Sequence, residues 1–155
     1  ADHRVDAILE MALVEAGKDT DTYRRVAVLA WVIDAALARD RKPFAESILQ
    51  DALTQSATVT PMKSRAAALE LLLKRATKVG ERDARQVADA LLDVAATLAA
   101  DPVKRWHKWG VSYVNRTARI LSRDHMPLAV SLLTARFGAE RSAAILARHS
   151  ASRAR

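Results

Sequence analysis

Apolar residues recur at helical spacing along nearly the whole chain. Val26, Leu29 and Ile33 follow the i, i+3, i+7 pattern of one buried helix face, and residues 69–76 and 87–98 repeat this spacing. No stretch alternates apolar and polar residues in the way that a half-buried strand does. The pattern therefore predicts an all-α protein.

Glycine and proline residues divide the chain into separate helices. Proline is tolerated in the first turn of a helix, and glycine is favoured just after the last turn. With these boundaries we predict eight helices, at about residues 3–16, 21–39, 42–55, 61–78, 81–100, 103–123, 126–137 and 139–149. The six central helices pair as antiparallel hairpins at about 21–55, 61–100 and 103–137, between capping helices at 3–16 and 139–149. We expect the hairpins to stack in an α-solenoid-like arrangement or a compact helical bundle.

One phrase of sequence occurs twice. Residues 39–49 and 123–133 share the pattern Arg-Asp-x-x-Pro-x-Ala-x-Ser-x-Leu at an offset of 84 residues, which is twice 42. Repeat periods of this size are typical of helical-repeat proteins. Asp40 and Asp124 each precede a predicted helix with proline in its first turn, so we expect their carboxylates to cap free backbone N–H groups there. This turn chemistry is our interpretation of the phrase, and a repeated functional site is the alternative.

The predicted hairpins resemble known helical repeats. Residues 45–52 and 88–95 both read Ala-x3-Leu-x2-Ala, a spacing that resembles the second helix of tetratricopeptide repeats. The period near 42 is more similar to that of HEAT and armadillo repeats, and the aromatic-Gly-aromatic pattern of the tetratricopeptide first helix is missing. The resemblance implies an α-solenoid-like fold and a binding role.

Chain length and composition limit the class of protein. A chain of 155 residues is expected to form a single domain, residues 1–155. The absence of cysteine excludes disulfides, thiolate metal sites and a cysteine nucleophile, and it fits a cytoplasmic location. No apolar run approaches the ~20 residues of a membrane span, so we expect no membrane partner.

Charge is distributed unevenly along the chain. The formal net charge is +7, yet residues 1–60 hold seven basic and ten acidic residues. Residues 61–102 hold seven basic and six acidic residues, and residues 103–155 hold eleven basic and only two acidic residues. The asymmetry predicts an anionic partner at the C-terminal third.

The predicted helix at 103–123 carries much of this positive charge. On a helical wheel one arc collects Arg105, Lys108, Ser112, Asn115, Arg116, Arg119 and Arg123. The other side collects the predicted core residues Val103, Trp106, Tyr113, Val114, Thr117, Ile120 and Leu121. Trp109 lies at the border between the two. We therefore predict that the partner-binding residues are Arg105, Lys108, Trp109, Arg116, Arg119 and Arg123.

Three uses of this basic helix are open. It could bind an acidic protein surface or helix, or it could follow the phosphates of DNA or RNA with Trp109 stacked on a base. It could also be a solvated face that keeps an alanine-rich helix soluble. Gly110 inside the helix makes a rigid recognition helix less suitable. We predict a non-enzymatic binding module for an acidic or helical protein partner, with nucleic acid as the alternative.

Motifs of known enzyme classes are missing from the sequence. It contains no HExxH, GxxxxGK[ST], GxGxxG or GxSxG, so we predict no catalytic residue, no metal site and no cofactor. Asp89 and Asp93 lie one turn apart and could bind Mg²⁺, but Arg82 and Arg85 favour a salt-bridged surface instead. A remaining analogy is with small, basic HEAT-like DNA glycosylases, which predicts a buried carboxylate beside Trp106 or Trp109 in a cleft.

Overall fold

The chain folds into α-helices joined by short turns. The computed structural model describes the backbone of residues 2–153 and the side chains of residues 3–149. Within that part the helices are α1 (Asp2–Gly17), α2 (Thr22–Ala38), α3 (Lys42–Ser56), α4 (Met62–Val79), α5 (Glu81–Ala99), α6 (Lys104–Asp124), α7 (Met126–Phe137) and α8 (Ala139–Arg153). The predicted all-α fold class is confirmed, and the predicted helix bounds agree to within a few residues. None of the described helices is both long and apolar enough to cross a membrane.

The helices stack in two layers. Each helix packs against the next one in the chain, and α2, α4, α6 and α8 also lie side by side as one layer. In the other layer α5 lies beside α7, and α3 is joined to α5 because Gln50 Nε2 donates to Gln86 Oε1 at 2.8 Å. Among the described residues, extensive contacts join only first and second neighbours along the chain. This neighbour-to-neighbour packing is typical of a solenoid-like stack.

Small and large residues alternate on the faces that meet between the layers. Ala45 and Leu49 on α3 are fully buried, as are Ala88 and Leu92 on α5. The Ala-x3-Leu-x2-Ala spacing therefore lies on the contact face, as its pattern predicts. Alanine lets a neighbouring helix approach closely while leucine fills the space beside it, so the core is continuous through the stack.

Gly110 marks the closest approach between α5 and α6. A Cβ atom at this position would lie 2.3 Å from the backbone nitrogen of Ala99 and 2.6 Å from the carbonyl oxygen of Ala95. Both contacts are with backbone atoms, which cannot rotate out of the way as a side chain can. Gly110 therefore serves helix packing, and α6 is an unbroken α-helix on both sides of it.

The first copy of the repeated phrase corrects the prediction that Asp40 caps α3. The N-cap of α3 is Arg41, and no side chain caps this helix. Asp40 instead adopts a left-handed conformation with φ of 57°. Its N–H donates to Leu37 O at 3.1 Å and the N–H of Arg41 donates to Ala36 O at 2.8 Å, which is the hydrogen-bond pattern of a Schellman motif at the end of α2.

The second copy forms a different turn, so Asp124 is not a cap either. Asp124 is the last residue of α6, and His125 alone separates α6 from α7, whereas three residues separate α2 from α3. The N-cap of α7 is His125, without a side-chain cap. His125 Nε2 lies 2.7 Å from Thr77 O in the last turn of α4. This contact ties the second turn to a neighbouring helix.

The two aspartates of the repeated phrase predict opposite effects of glycine. Because glycine adopts positive φ freely, Asp40→Gly should raise the free energy of unfolding by roughly 0.5 kcal/mol. Asp124→Gly adds backbone freedom at a helical position and should lower it by roughly 0.5 kcal/mol. Urea denaturation followed by circular dichroism measures both variants. Two shifts of the same sign would contradict the assigned turns.

The close approach at Gly110 predicts that even alanine is too large there. Alanine favours a helix by about 1 kcal/mol over glycine. We nevertheless expect Gly110→Ala to lower the free energy of unfolding by about 1–3 kcal/mol, because the added methyl group overlaps the α5 backbone. Gly17→Ala is the matched control, since a Cβ atom there meets nothing within 4 Å. Equal stability of the two variants in thermal denaturation would refute this packing argument.

Candidate functional site: the cationic surface of α4 and α6

The structure places the predicted binding residues at different depths on α6. Arg105, Lys108, Arg119 and Arg123 are exposed, whereas Trp109 and Arg116 are half-buried. Most of the predicted core side of α6 packs inward, with buried residues Tyr113, Val114, Thr117 and Leu121 and partly buried residues Trp106 and Ile120. Val103 is the exception to that prediction. It is 50% exposed because it is the N-cap and precedes the first turn of α6.

Trp109 lies between α6 and α4 with one face covered. The ammonium group of Lys63, on α4, lies 3.9 Å from the centroid of the indole ring. The ring of Tyr113 lies one turn further along α6, with its centroid at 6.1 Å. The cation–π contact and the tilted aromatic pair hold the indole within the protein. The stacking surface that a base would need is therefore reduced.

Arg116 is paired within the protein. Its Nη1 atom donates to Oε2 of Glu70 on α4 at 3.3 Å, and its guanidinium lies over the ring of Tyr113. Glu70 is also 3.6 Å from Lys74, and its side chain is only 15% exposed. The Arg116–Glu70 pair interrupts the predicted basic stripe. It separates Lys108 from Arg119, which lie about 16 Å apart along the helix axis.

Arg116 belongs to a set of charge pairs that we call the arginine ladder. Each pair joins two helices of the same layer, with the acid on the earlier helix and the arginine on the helix two places later. The four pairs are Asp34–Arg75 at 2.9 Å, Glu70–Arg116 at 3.3 Å, Asp93–Arg136 at 2.7 Å, and Glu46–Arg82. Together they connect α2 to α4, α4 to α6, α5 to α7, and α3 to α5.

The arginine ladder changes the meaning of the charge asymmetry. Arg116 and Arg136 are two of the eleven basic residues in 103–155, and acids of earlier helices match both of them. When these two arginines are set aside, nine basic and two acidic residues remain in that segment. Arg136 contacts both Asp89 and Asp93, so this pair lies on a salt-bridged surface, as the sequence favoured, with Arg136 as the partner. Among the described side chains, no group of three His, Cys, Asp or Glu could hold a metal ion.

A cleft between the last turns of α4 and α6 is lined by four cations that are not members of the arginine ladder. Its volume is about 520 Å³. We call it the cationic cleft, and it is lined by Lys74, Thr77, Lys78, Arg119, Ile120, Arg123 and Asp124. Four of these residues are cations and one is an acid. Because α4 and α6 run in the same direction, their C-terminal ends lie together and the cations of both helices converge.

The α4 lysines of the cleft escaped the sequence prediction. Lys74 and Lys78 lie one turn apart, and both are exposed. This spacing is visible in the sequence and indicates one helix face. The sequence does not show that this face lies beside Arg119 and Arg123, because that depends on α4 and α6 sharing a layer.

Helix α8 extends the positive surface beyond the cleft. Burial lowers the pKa of His149, and the nearby charges of Arg119 and Arg148 lower it further. His149 of α8 therefore lies near Arg119, one of the residues that line the cationic cleft. The side chains of Arg153 and Arg155, which also contribute to the C-terminal charge, lie outside the described residues.

Trp31 is an exposed aromatic residue that the sequence prediction also missed. Its side chain is 69% exposed, far more than expected for a tryptophan of a packed helix. It lies one turn before Asp34, whose partner Arg75 follows Lys74 on α4. Trp31 thus belongs to the same layer as the cationic cleft. On a helical wheel it falls opposite the buried positions of α2, which is the signal that could have identified it.

A groove beside Trp106 bears on the glycosylase analogy. Its volume is about 310 Å³, and the carboxylate that lines it is Asp101. Asp101 is half-buried, and its Oδ1 atom accepts a hydrogen bond from the N–H of Val103 at 2.8 Å. The carboxylate therefore serves the turn before α6. The buried acid that the analogy requires has no counterpart in this groove.

Comparisons with known proteins leave the chain without an assigned family. No protein-family model matches it, and neither the curated proteins nor the solved structures include a significant match. The resemblance to helical-repeat families therefore stays a prediction. Any assignment of function depends on the geometry of the surfaces.

The environment of His149 predicts a pH effect on stability. Its pKa lies below the ordinary 6.5 in the folded state, so the unfolded chain binds the proton more readily. The free energy of unfolding should therefore fall as the pH drops below 6.5 and stay constant with respect to this group above it. An NMR titration measures the pKa of His149 directly. Arg119→Gln should raise it, and an unchanged value would contradict the proposed charge coupling.

Proposed function

We propose that the protein is a non-enzymatic, cytoplasmic binding module whose cationic cleft holds an acidic segment of a partner protein. The observation that carries the proposal is the convergence of Lys74, Lys78, Arg119 and Arg123 on a cleft whose lining has one acid, Asp124, while Glu70 pairs with Lys74 beside it. Like charges held this close raise the free energy of the unbound protein, and an acidic ligand relieves their repulsion. The cytoplasmic location rests on the absence of cysteine.

The distribution of cations favours an acidic protein segment over nucleic acid. A phosphate backbone carries regularly spaced charges and is best matched by a continuous row of cations. Here the row on α6 is interrupted where Arg116 pairs with Glu70. Trp109, the expected stacking residue, is covered on one face by Lys63. A confined cluster of four cations fits a short acidic segment better.

Trp31 lies on α2, the neighbour of α4 in the same layer, and offers a partner an exposed apolar contact. Exposed tryptophan is enriched among the residues that contribute most to protein–protein binding, because it buries a large area with little loss of side-chain entropy. Ile120 adds an apolar wall within the cleft. A segment that combines acidic residues with a large apolar residue would therefore contact both the cleft and Trp31.

The experiment is a binding measurement with matched charge-reversal variants. Fluorescence anisotropy would compare a labelled peptide of alternating Glu and Leu with a random-sequence duplex and single strand, over a range of salt concentrations. We expect Arg119→Glu/Arg123→Glu to weaken peptide binding by at least about tenfold. Lys42→Glu/Arg85→Glu is the control, because it makes the same change in charge at exposed positions on α3 and α5. Trp31→Ala should weaken binding without loss of stability.

Two outcomes would reject this function. Tighter binding of nucleic acid than of the peptide, with a steep salt dependence that Arg119→Glu/Arg123→Glu removes, would favour the nucleic-acid alternative. Equal weakening by the cleft variant and by the control variant would mean that only the overall charge matters.

A further inference from the structure

Helix α1 presents apolar side chains on two opposite faces. Leu9 and Ala16 are buried against the core, whereas Ile8, Met11 and Val14 are 65%, 68% and 63% exposed. These three exposed residues are spaced so that they share one side of the helix. An exposed apolar row of this kind favours association with another surface.

Acidic residues border this apolar row. Glu10 and Glu15 line the same shallow surface groove as Met11 and Val14. We call the set of Ile8, Met11, Val14, Glu10 and Glu15 the α1 face. Glu15 also pairs with Lys18 at 2.6 Å at the edge of this face. The apolar row and the two carboxylates match a partner surface that is apolar in the middle and basic at the edges.

A surface with that complementary chemistry lies at the other end of the same chain. Helix α7 has only 12 residues, against 21 in α6. A groove of about 210 Å³ lies among α5, α6, α8 and the last residue of α7, Phe137. We call it the α8 groove, and its apolar lining includes Val111, Val114, Phe137 and Ile145, with Arg141 and Arg148 as its basic residues.

One detail indicates that the α8 groove has room for a docked apolar side chain. Val111 is 38% exposed although it lies on the packed part of α6. Burial of its side chain by a docked segment would be favourable.

We propose that copies of this protein associate head to tail, with the α1 face of one copy docked in the α8 groove of the next. Met11 and Ile8 would fill the apolar part, and Glu10 and Glu15 would pair with Arg141 and Arg148. Such a contact joins two different surfaces, so it extends into an open chain of molecules unless the rotation between copies closes a ring. It leaves the cationic cleft outside the contact.

The test uses two variants that block opposite ends. Sedimentation equilibrium over a range of concentrations should show the average mass of the wild type rising with concentration, and rising less at high salt. Met11→Glu and Arg141→Glu/Arg148→Glu should each remain monomeric, because each lacks one of the two surfaces. A mixture of the two should form a 1:1 dimer and nothing larger, since each variant retains one intact surface. Circular dichroism would confirm that both variants fold.

Several results would overturn this inference. A wild type that stays monomeric at all concentrations and salts would exclude the contact. An Arg141→Glu/Arg148→Glu variant that still dimerises, while Met11→Glu does not, would indicate that two α1 faces pair with each other. Lys42→Glu/Arg85→Glu makes the same charge change at exposed positions of α3 and α5 and should leave association unchanged. If this control also abolished association, the loss in the α8 variant would reflect net charge alone. Peptide binding by Met11→Glu tests the cationic cleft separately.

Discussion

The packing of α5 against both α4 and α6 is the constraint on which the rest of the structure depends. Helix α5 buries nine residues, and the small ones among them bring the backbones of its neighbours close. At Gly110 the approach is so close that no side chain fits. Because α4 and α6 both run antiparallel to α5, they lie parallel to each other, and their C-terminal ends meet at the cationic cleft. The proposed binding surface is thus a consequence of how one apolar helix is covered.

The arginine ladder gives the stack a direction. In all four pairs the carboxylate precedes the arginine in the chain, so acids accumulate towards the N-terminus and arginines towards the C-terminus. Partly exposed ion pairs of this kind contribute little to stability individually. Their larger effect is on which charges remain available to a partner. Arg116 and Arg136 are matched internally, whereas Arg119 and Arg123 remain at the surface of the cleft.

The two ends of the stack differ in charge because the acids precede the arginines along the chain. The N-terminal end keeps the acids and the apolar row of α1, and the C-terminal end keeps the arginines of α8 around an apolar groove. A stack with complementary ends has a physical basis for repeated association, in the way that helices within the chain add to one another. The cationic cleft and the α8 groove share no lining residue, so the proposed partner binding and the proposed self-association use separate surfaces.

The sequence by itself determined the all-α class and, to within a few residues, the helix bounds. These features follow from the local period of apolar residues and from glycine and proline, which act within a few residues of themselves. The same local pattern did not predict the left-handed turn at Asp40, whose hydrogen bonds go to the end of α2. It also did not predict that the two copies of the repeated phrase form different turns; in the second copy, His125 contacts Thr77 on another helix.

Only the tertiary structure decided which cations are available. On the helical wheel Arg116 and Arg119 are equivalent members of one stripe. In the structure Arg116 is paired with Glu70, and Arg119 joins Lys78 of α4 in the cleft, because residues 40 to 50 positions apart become neighbours when helices two places apart share a layer. A charge pattern read along one helix gives the residues that can face solvent. Their partners are set by the helices packed beside it.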